Sequence, residues 1–193
     1  MRVNQIQKLY DGFEDRTFIH MSTNMNREGL LISERIEEIM MMCDREHPVY
    51  EQISSFSIAL YTLGFFNCDD LMSFQDIDAH EAAVILSEHF EKFNQDNLPQ
   101  EYNITESKEQ YMLVVGDPLF PVHFAVLADT ACSKPFFSKL PFFGSGFDSL
   151  EELVNEFSGI EGISPDDFHF FKKTRSGAIP ASSIGKIYIV KNY

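Results

Sequence analysis

The sequence contains no tryptophan, few cysteines and no long uninterrupted hydrophobic run. A transmembrane helix needs roughly 20 consecutive apolar residues, and no segment approaches that length. The longest apolar stretch, Phe56 to Phe66, is too short and indicates a buried helix. The N-terminal residues also lack the apolar run of a signal peptide. We therefore predict a cytoplasmic protein that makes no membrane contact.

The three cysteines, Cys43, Cys68 and Cys132, are far apart and form no C-x-x-C motif. An odd number of cysteines without an export signal predicts reduced thiols. No two of them have the spacing of zinc ligands. The dipeptide His80-Glu81 is typical of metalloproteases, but that motif needs a second histidine where Val84 stands. The sequence therefore predicts neither a metal site nor a cofactor.

The formal net charge is −15, and it is concentrated in the first part of the chain. Residues 1–107 contain 20 acidic and 7 basic side chains, whereas residues 108–193 contain 10 and 8. Such a field repels nucleic acid and attracts basic proteins, although a surface charge also serves solubility alone. The C-terminal part of the chain combines bases with aromatic rings, an arrangement that resembles a single-strand nucleic-acid platform. These residues are Lys172, Lys173, Arg175, Lys186 and Lys191, with Phe170, Phe171 and Tyr188. The net charge makes nucleic acid an unexpected partner, and lysines also protect sheet edges.

Hydrophobic periodicity predicts about four helices in the first half of the chain. They are expected within residues 3–13, 32–43 and 49–65, and from Asp78 onward. The fourth begins with a capping box formed by Asp78 and Glu81. Its apolar stripe extends to Phe93, so we predict that the helix also does.

The second half has the pattern of a small sheet. Runs 111–115 and 122–128 predict a β-hairpin with a longer loop, and residues 168–174 and 186–191 predict two more strands. Between the hairpin and these two strands, Asp148 caps a predicted helix, and Ser164 begins a capped helical turn. The predicted fold class is α+β: an acidic helical half, then a mostly antiparallel sheet with one or two helices packed on it. Residues 1–98 and 109–193 form these halves with a connector at 99–108, either as separate units or as one continuous domain.

The passage from a β-hairpin through an irregular loop into the helix FDSLEELVNEF resembles immunity proteins of bacterial toxin systems. It also resembles other small acidic bacterial immunity and adaptor proteins. The resemblance implies a protein that acts by binding another protein, and it assigns no residue roles.

One candidate for chemistry combines His123, Asp129 and Cys132. A thiolate nucleophile needs a base within hydrogen-bond reach and a third group that orients the base. In a continuous strand, His123 and Asp129 would share a face but lie about 20 Å apart. A small hydrolase or ligand-binding protein centred on these residues requires the strand end to fold back. The alternative is a strand histidine and a buried thiol.

The segment Lys134 to Phe147 contains five phenylalanines, two prolines and two glycines. Its prolines and glycines predict an irregular loop, and Lys139 indicates that the loop is partly in water. Adjacent side chains of an extended chain point in opposite directions, so each phenylalanine doublet should contribute one ring to the core. The other rings would form a contact surface for a partner, for a second copy of the chain or over a small-molecule pocket.

The leading hypothesis is a non-enzymatic protein-interaction module, such as an adaptor, a regulator or a toxin-neutralising protein. An acidic face would attract a basic partner. Five residues of the phenylalanine-rich segment would hold it: Phe136, Phe137, Lys139, Phe142 and Phe143.

Overall fold

A computed structural model of the chain describes residues 27–46, 53–66, 71, 75–159 and 162–174. Within these residues the four helices are α1 (Arg27–Met42), α2 (Ser55–Thr62), α3 (Ala79–His89) and α4 (Leu150–Phe157). The six strands are β1 (Phe90–Phe93), β2 (Tyr111–Asp117), β3 (Phe120–Leu127), β4 (Phe136–Leu140), β5 (Gly144–Asp148) and β6 (Phe168–Lys173). Short 3-10 turns occur at Gln95–Asn97 and Pro165–Asp167. The predicted α+β class is confirmed.

The strands form one sheet in the order β1-β6-β2-β3-β4-β5, and every ladder between them is antiparallel. The predicted hairpin of β2 and β3 is present. Its loop is only two residues long, because Asp117 pairs with Phe120. The predicted strand at 168–174 is β6, between β1 and β2.

The fourth predicted helix ends earlier than its apolar stripe indicated. The backbone becomes extended at Phe90, and residues Phe90–Phe93 form β1 against β6. The prediction of a helix to Phe93 is therefore wrong, because the stripe continues from a buried helix face into a strand whose first ring is buried. The described chain thus has a strand within the half assigned to helices.

Helix capping agrees with the sequence at one helix and differs by one residue at another. Asp78 caps α3, and its side chain and that of Glu81 form the predicted capping box. At α4 the cap is Ser149 with Glu152, not Asp148. Asp148 is instead the last residue of β5 and pairs with Arg45.

The two faces of the sheet are covered by different helices. One, here called the α2 face, carries Phe124, whose ring lies 4.9 Å from that of Phe56 in α2. The other, the α4 face, carries His123, whose ring lies 4.6 Å from that of Phe157 in α4. Because both sides of the sheet are covered here, β4, all of β2 but its last residue, and β3 from His123 onward are buried.

Buried residues from both predicted halves belong to one hydrophobic cluster, which includes Ile58 of α2 and Val126 of β3. The predicted connector contributes buried Tyr102 and Ile104, and the ring of Tyr102 lies 5.1 Å from that of Tyr111. None of the helices in the described part of the chain combines the length and apolarity needed to cross a membrane.

Three predictions lie outside the described residues: the helix within residues 3–13, the strand at 186–191 and the state of Cys68. Cys43 is buried and Cys132 is partly buried, and neither forms a disulfide in the described part of the chain.

Candidate functional site

The phenylalanine-rich segment is a β-hairpin, not an irregular loop. Strands β4 and β5 pair from Phe136 opposite Asp148 to Leu140 opposite Gly144. Pro135 precedes the first strand and Pro141 lies in the turn, so neither removes a donor from the ladder. The segment therefore combines a buried base with an exposed turn, here called the β4–β5 tip (residues 141–143).

The two rings of each phenylalanine doublet are alike in their exposure, whereas the two doublets differ from each other. Phe136 and Phe137 are both buried, because their rings point to opposite faces of a sheet that is covered on both sides. The first lies near Phe170 and the second near Phe147, with ring centroids 6.2 and 5.1 Å apart. The prediction that each doublet would divide between core and surface is wrong.

Lys139 is only 4% exposed, so the inference that it lies partly in water is also corrected. It occupies β4 beside the fully buried Ser138 and lies opposite Ser145 of β5 in the strand register. Because Lys139 is buried together with Phe136 and Phe137, a partner reaches none of these three without unfolding the hairpin. The accessible members of the predicted set are Phe142 and Phe143.

Phe142 and Phe143 are 80% and 54% exposed in the turn that joins the strands. The Phe143 N–H donates to the Leu140 carbonyl oxygen at 3.3 Å, which closes a β-turn. Pro141 takes the second position, and Phe142 takes the third with φ of 66°. This is the arrangement of a type II turn, in which glycine or asparagine normally occupies the third position.

A phenylalanine with a positive φ is a backbone outlier that costs of order 1–3 kcal/mol. Among the described residues, Phe142 is the one non-glycine residue with positive φ. The ring receives little compensation from burial, because it lies mostly in water. The turn thus holds an aromatic ring in solvent at an energetic cost that burial does not offset.

A second exposed apolar group occupies the turn between β2 and β3, a site that the sequence analysis missed. Leu119 and Phe120 are 67% and 72% exposed, and Val122 is also exposed. Polar residues are typical of such turns. The sequence signal was therefore available: the turn after Gly116-Asp117-Pro118 contains leucine and phenylalanine. We call residues 118–122 the β2–β3 tip.

The last turn of α1 leads into a segment that packs along β5. The Ser145 N–H donates to the Cys43 carbonyl oxygen at 2.7 Å, and Asp44 forms a parallel bridge with Ser145. Arg45 lies across Gly146 and pairs with the buried carboxylate of Asp148. This contact covers the outer edge of β5, which would otherwise be open to pairing with another chain.

An open groove of about 340 Å³ lies between this segment and α4. Its lining residues are Arg45, Leu140, Asp148, Glu152, Asn155 and Glu156. Glu152 pairs with Lys134 and accepts a hydrogen bond from the Ser149 N–H. Partial burial raises the pKa of Glu152, but these two interactions together hold that pKa below its usual value. The groove is thus polar, and acidic side chains predominate in it.

The three candidate catalytic residues do not converge. His123 lies in β3 with its ring fully buried against Phe157, whereas Asp129 follows the end of that strand. Asp129 accepts a hydrogen bond from the side-chain amide of Asn103, and its backbone carbonyl accepts one from the Cys132 N–H.

The chemistry of Cys132 is also unsuited to a nucleophile. Burial raises the pKa of its thiol, and the charge of Asp129 and a hydrogen bond to that residue raise it further. A nucleophilic cysteine requires the opposite shift. The structure thus brings Asp129 and Cys132 together without an activating base.

Seven buried side-chain polar atoms in the described residues lack a hydrogen-bond partner, and four of them belong to the α4 face. They are Nε of Arg45, Oγ of Ser138 and both ring nitrogens of His123. Burial lowers the pKa of His123 from 6.5 to about 3, and the positive charges of Arg45 and Lys139 add to this effect. The imidazole is therefore neutral at physiological pH.

This histidine makes stability dependent on pH in a defined direction. Between pH 6.5 and 3 the unfolded chain binds a proton that the folded chain excludes, so stability falls as the pH falls. We expect His123→Leu to remove this contribution. The unfolding free energy of the variant minus that of the wild type should therefore rise by roughly 2–3 kcal/mol from about pH 7 to about pH 4.5.

Urea titrations across this pH range measure that difference. Carboxylates with lowered pKa values, such as Glu109, also weaken the fold in acid, but they do so in both proteins and cancel. His80→Gln provides the matched control, because His80 is exposed on α3. A constant difference between His123→Leu and wild type would show that the folded protein protonates His123 readily.

No group of three or more histidine, cysteine, aspartate or glutamate side chains in the described part of the chain is arranged to hold a metal ion. The chain matches no protein family. Comparisons with curated proteins and with solved structures likewise find no match. Function must therefore be argued from the residues themselves.

Proposed function

We propose that the chain is a non-enzymatic protein-interaction module, of the adaptor, regulator or toxin-neutralising kind, and that the β4–β5 tip holds its partner. The observation that carries this proposal is Phe142, an exposed aromatic ring on a turn residue with φ of 66°. Backbone strain of this kind is concentrated at functional sites. A cytoplasmic location is part of the same proposal.

The tip has the properties of an interface anchor. Exposed aromatic side chains lose little conformational freedom on binding and bury a large area, so they are enriched among the residues that dominate binding energy. The paired strands below the turn are buried and hold the two rings in place. A preorganised contact of this kind reduces the entropic cost of association.

Replacing Phe142 with glycine separates stability from binding. Glycine adopts a positive φ without steric cost, so we expect Phe142→Gly to raise the free energy of unfolding by about 1 kcal/mol. The same change removes an anchor ring and should weaken partner binding by about 2 kcal/mol, or about 30-fold in Kd.

The partner is identified by affinity capture from cells and mass spectrometry, and its binding to purified variants is then measured by calorimetry. Leu31→Gln is the matched control, since Leu31 is an exposed apolar residue on α1. If Phe142→Gly binds the captured partner as tightly as wild type does, the tip is not the binding site and the proposal fails.

A further inference from the structure

The two hairpin tips lie at the same edge of the sheet. Residues at the end of β3 pair with residues at the start of β4, as Leu127 does with Phe136. Because β3 and β4 are antiparallel, the start of β3 and the end of β4 are at the opposite end of the sheet. That end of the sheet, here called the hairpin edge, carries both the β2–β3 tip and the β4–β5 tip.

These tips contain most of the large apolar side chains that are exposed in the described chain. Eight large apolar side chains are exposed in the described residues, and five of them are Leu119, Phe120, Val122, Phe142 and Phe143. Scattered single apolar residues are normal on protein surfaces, whereas a concentration at one edge marks an interaction site.

Acidic side chains surround these apolar residues. Besides the two tips, the hairpin edge includes the segment after α1, the 3-10 turn after β1, the last residue of β2 and the turn before β6. These elements contribute the acidic residues Asp44, Asp96, Asp117, Asp166 and Asp167. The basic residues in or next to these segments are Arg45, Lys92 and Lys139. Arg45 pairs with Asp148, Lys139 is buried, and exposed Lys92 lies near His169 together with Asp117 and Asp167. Acidic side chains therefore outnumber accessible basic ones at this edge. The opposite edge differs, since Lys134 and Lys172 pair there with Glu152 and Glu109.

We infer that the hairpin edge is a two-anchor docking surface for a basic protein that presents apolar side chains within a positively charged surface. This inference rests on the proposed function of the β4–β5 tip and adds the β2–β3 tip and the charge of the partner. Complementary charges accelerate encounter and suppress wrong partners, while the apolar centre supplies the binding energy.

The same charges disfavour two other occupants. A second copy of the chain would bring its own acidic residues against this edge, and each chain has a formal net charge of −15. Like charges facing each other oppose association. An anionic lipid surface would meet the same repulsion, because such surfaces attract basic segments.

The test uses the full chain, labelled for NMR, and a short peptide of three lysines and two phenylalanines as the probe. The matched peptide has glutamates in place of the lysines. We expect the cationic peptide to shift the amide signals of the non-proline residues within 117–122 and 141–144 together. Its affinity should fall severalfold from about 50 to about 500 mM NaCl, and the acidic peptide should leave both sets of signals in place.

Two variants assign the effect to the second tip and to its charge. Phe120→Ser should weaken peptide binding about tenfold with an unchanged melting temperature, because Phe120 is exposed. Asp117→Asn should weaken it less and should reduce its salt dependence. Glu151→Gln, the same loss of charge on α4, is the control and should bind the peptide as wild type does.

Several results would overturn the inference. They are equal binding of the acidic peptide, or shifts confined to residues 141–144. Self-association in sedimentation that Phe120→Ser abolishes would identify a second copy as the occupant, and co-sedimentation with phosphatidylserine vesicles would identify a membrane. Shifts confined to 141–144 leave the proposed function intact, whereas the proposed function fails on its own if Phe142→Gly retains full partner binding.

Discussion

Replacing Phe137 with alanine is expected to lower the free energy of unfolding by about 3–5 kcal/mol. The ring is fully buried in β4, where it contacts Phe147 of β5 and packs under α2. Truncation would lose the transfer energy of the ring and leave a cavity between the sheet and α2. Neighbouring side chains in a close-packed interior relax only partly into such a cavity, so most of it stays open. Urea denaturation followed by circular dichroism measures the loss.

Phe143→Ala is the matched comparison, since it removes the same ring from the exposed end of the same hairpin. It should change the unfolding free energy by less than about 0.5 kcal/mol, as surface substitutions usually do. Equal losses for the two variants would mean that the β4–β5 tip is packed in the core. The proposed function would then lose its anchor.

The contrast between the two doublets shows what residue patterns can and cannot predict. The alternation rule is correct for Phe136 and Phe137, whose rings do point to opposite faces. Their burial also depends on what covers each face, and the sequence does not show that α4 returns across the sheet. The second doublet lies in a turn, where alternation does not apply.

Local signals predicted local structure well. The capping box at Asp78, the alternating β2–β3 pair and the turn at Ser164 all depend on residues within a few positions of each other. The boundary between α3 and β1 was wrong because Phe90 and Phe93 satisfy a helical stripe, and the pairing of β1 with β6 outweighs that preference.

The candidate site depended on longer-range information. The pairing of Arg45 with Asp148 spans the sheet edge, and nothing near either residue in the chain predicts it. The hairpin edge likewise exists because the antiparallel pairing of β3 with β4 places two turns that are distant in the chain at the same end of the sheet. The chemical character of each turn was visible in the sequence, but their shared location was not.

Buried rings and the proposed contact rings are separated along one hairpin. Strand β4 holds two buried rings that stabilise the fold, and the turn that begins four residues after Phe137 exposes Phe142 and Phe143. The segment after α1 packs along β5, the outer strand, and places Asp44 at the hairpin edge; this contact is here called the clamp. A disturbance of that clamp should therefore change both stability and charge at the proposed docking surface.

Gly144→Ala is the change that tests this clamp, and we expect it to lower the unfolding free energy by about 3 kcal/mol. Gly144 has φ of 72°, and an added Cβ would overlap the carbonyl oxygen of Asp44 and lie 2.8 Å from its carbonyl carbon. Both neighbours are backbone atoms, so the segment must move away. Its hydrogen bond to Ser145 and the contact of Arg45 with Asp148 would then be lost.

Two other glycines separate the causes of this loss. Gly162 has φ of 86° with no atom within 4 Å of an added Cβ, so Gly162→Ala should cost about 1 kcal/mol for backbone conformation alone. Gly159 has neither a positive φ nor a close neighbour, and Gly159→Ala should leave stability unchanged or slightly higher. The excess loss in Gly144→Ala over Gly162→Ala then measures the stability that the clamp contributes.

The buried thiol of Cys43 should also react faster with a thiol reagent in Gly144→Ala, as peptide mapping of the labelled protein would show. If Gly144→Ala costs no more than Gly162→Ala and Cys43 stays protected, the segment after α1 is not held against β5, and it does not place Asp44 at the hairpin edge.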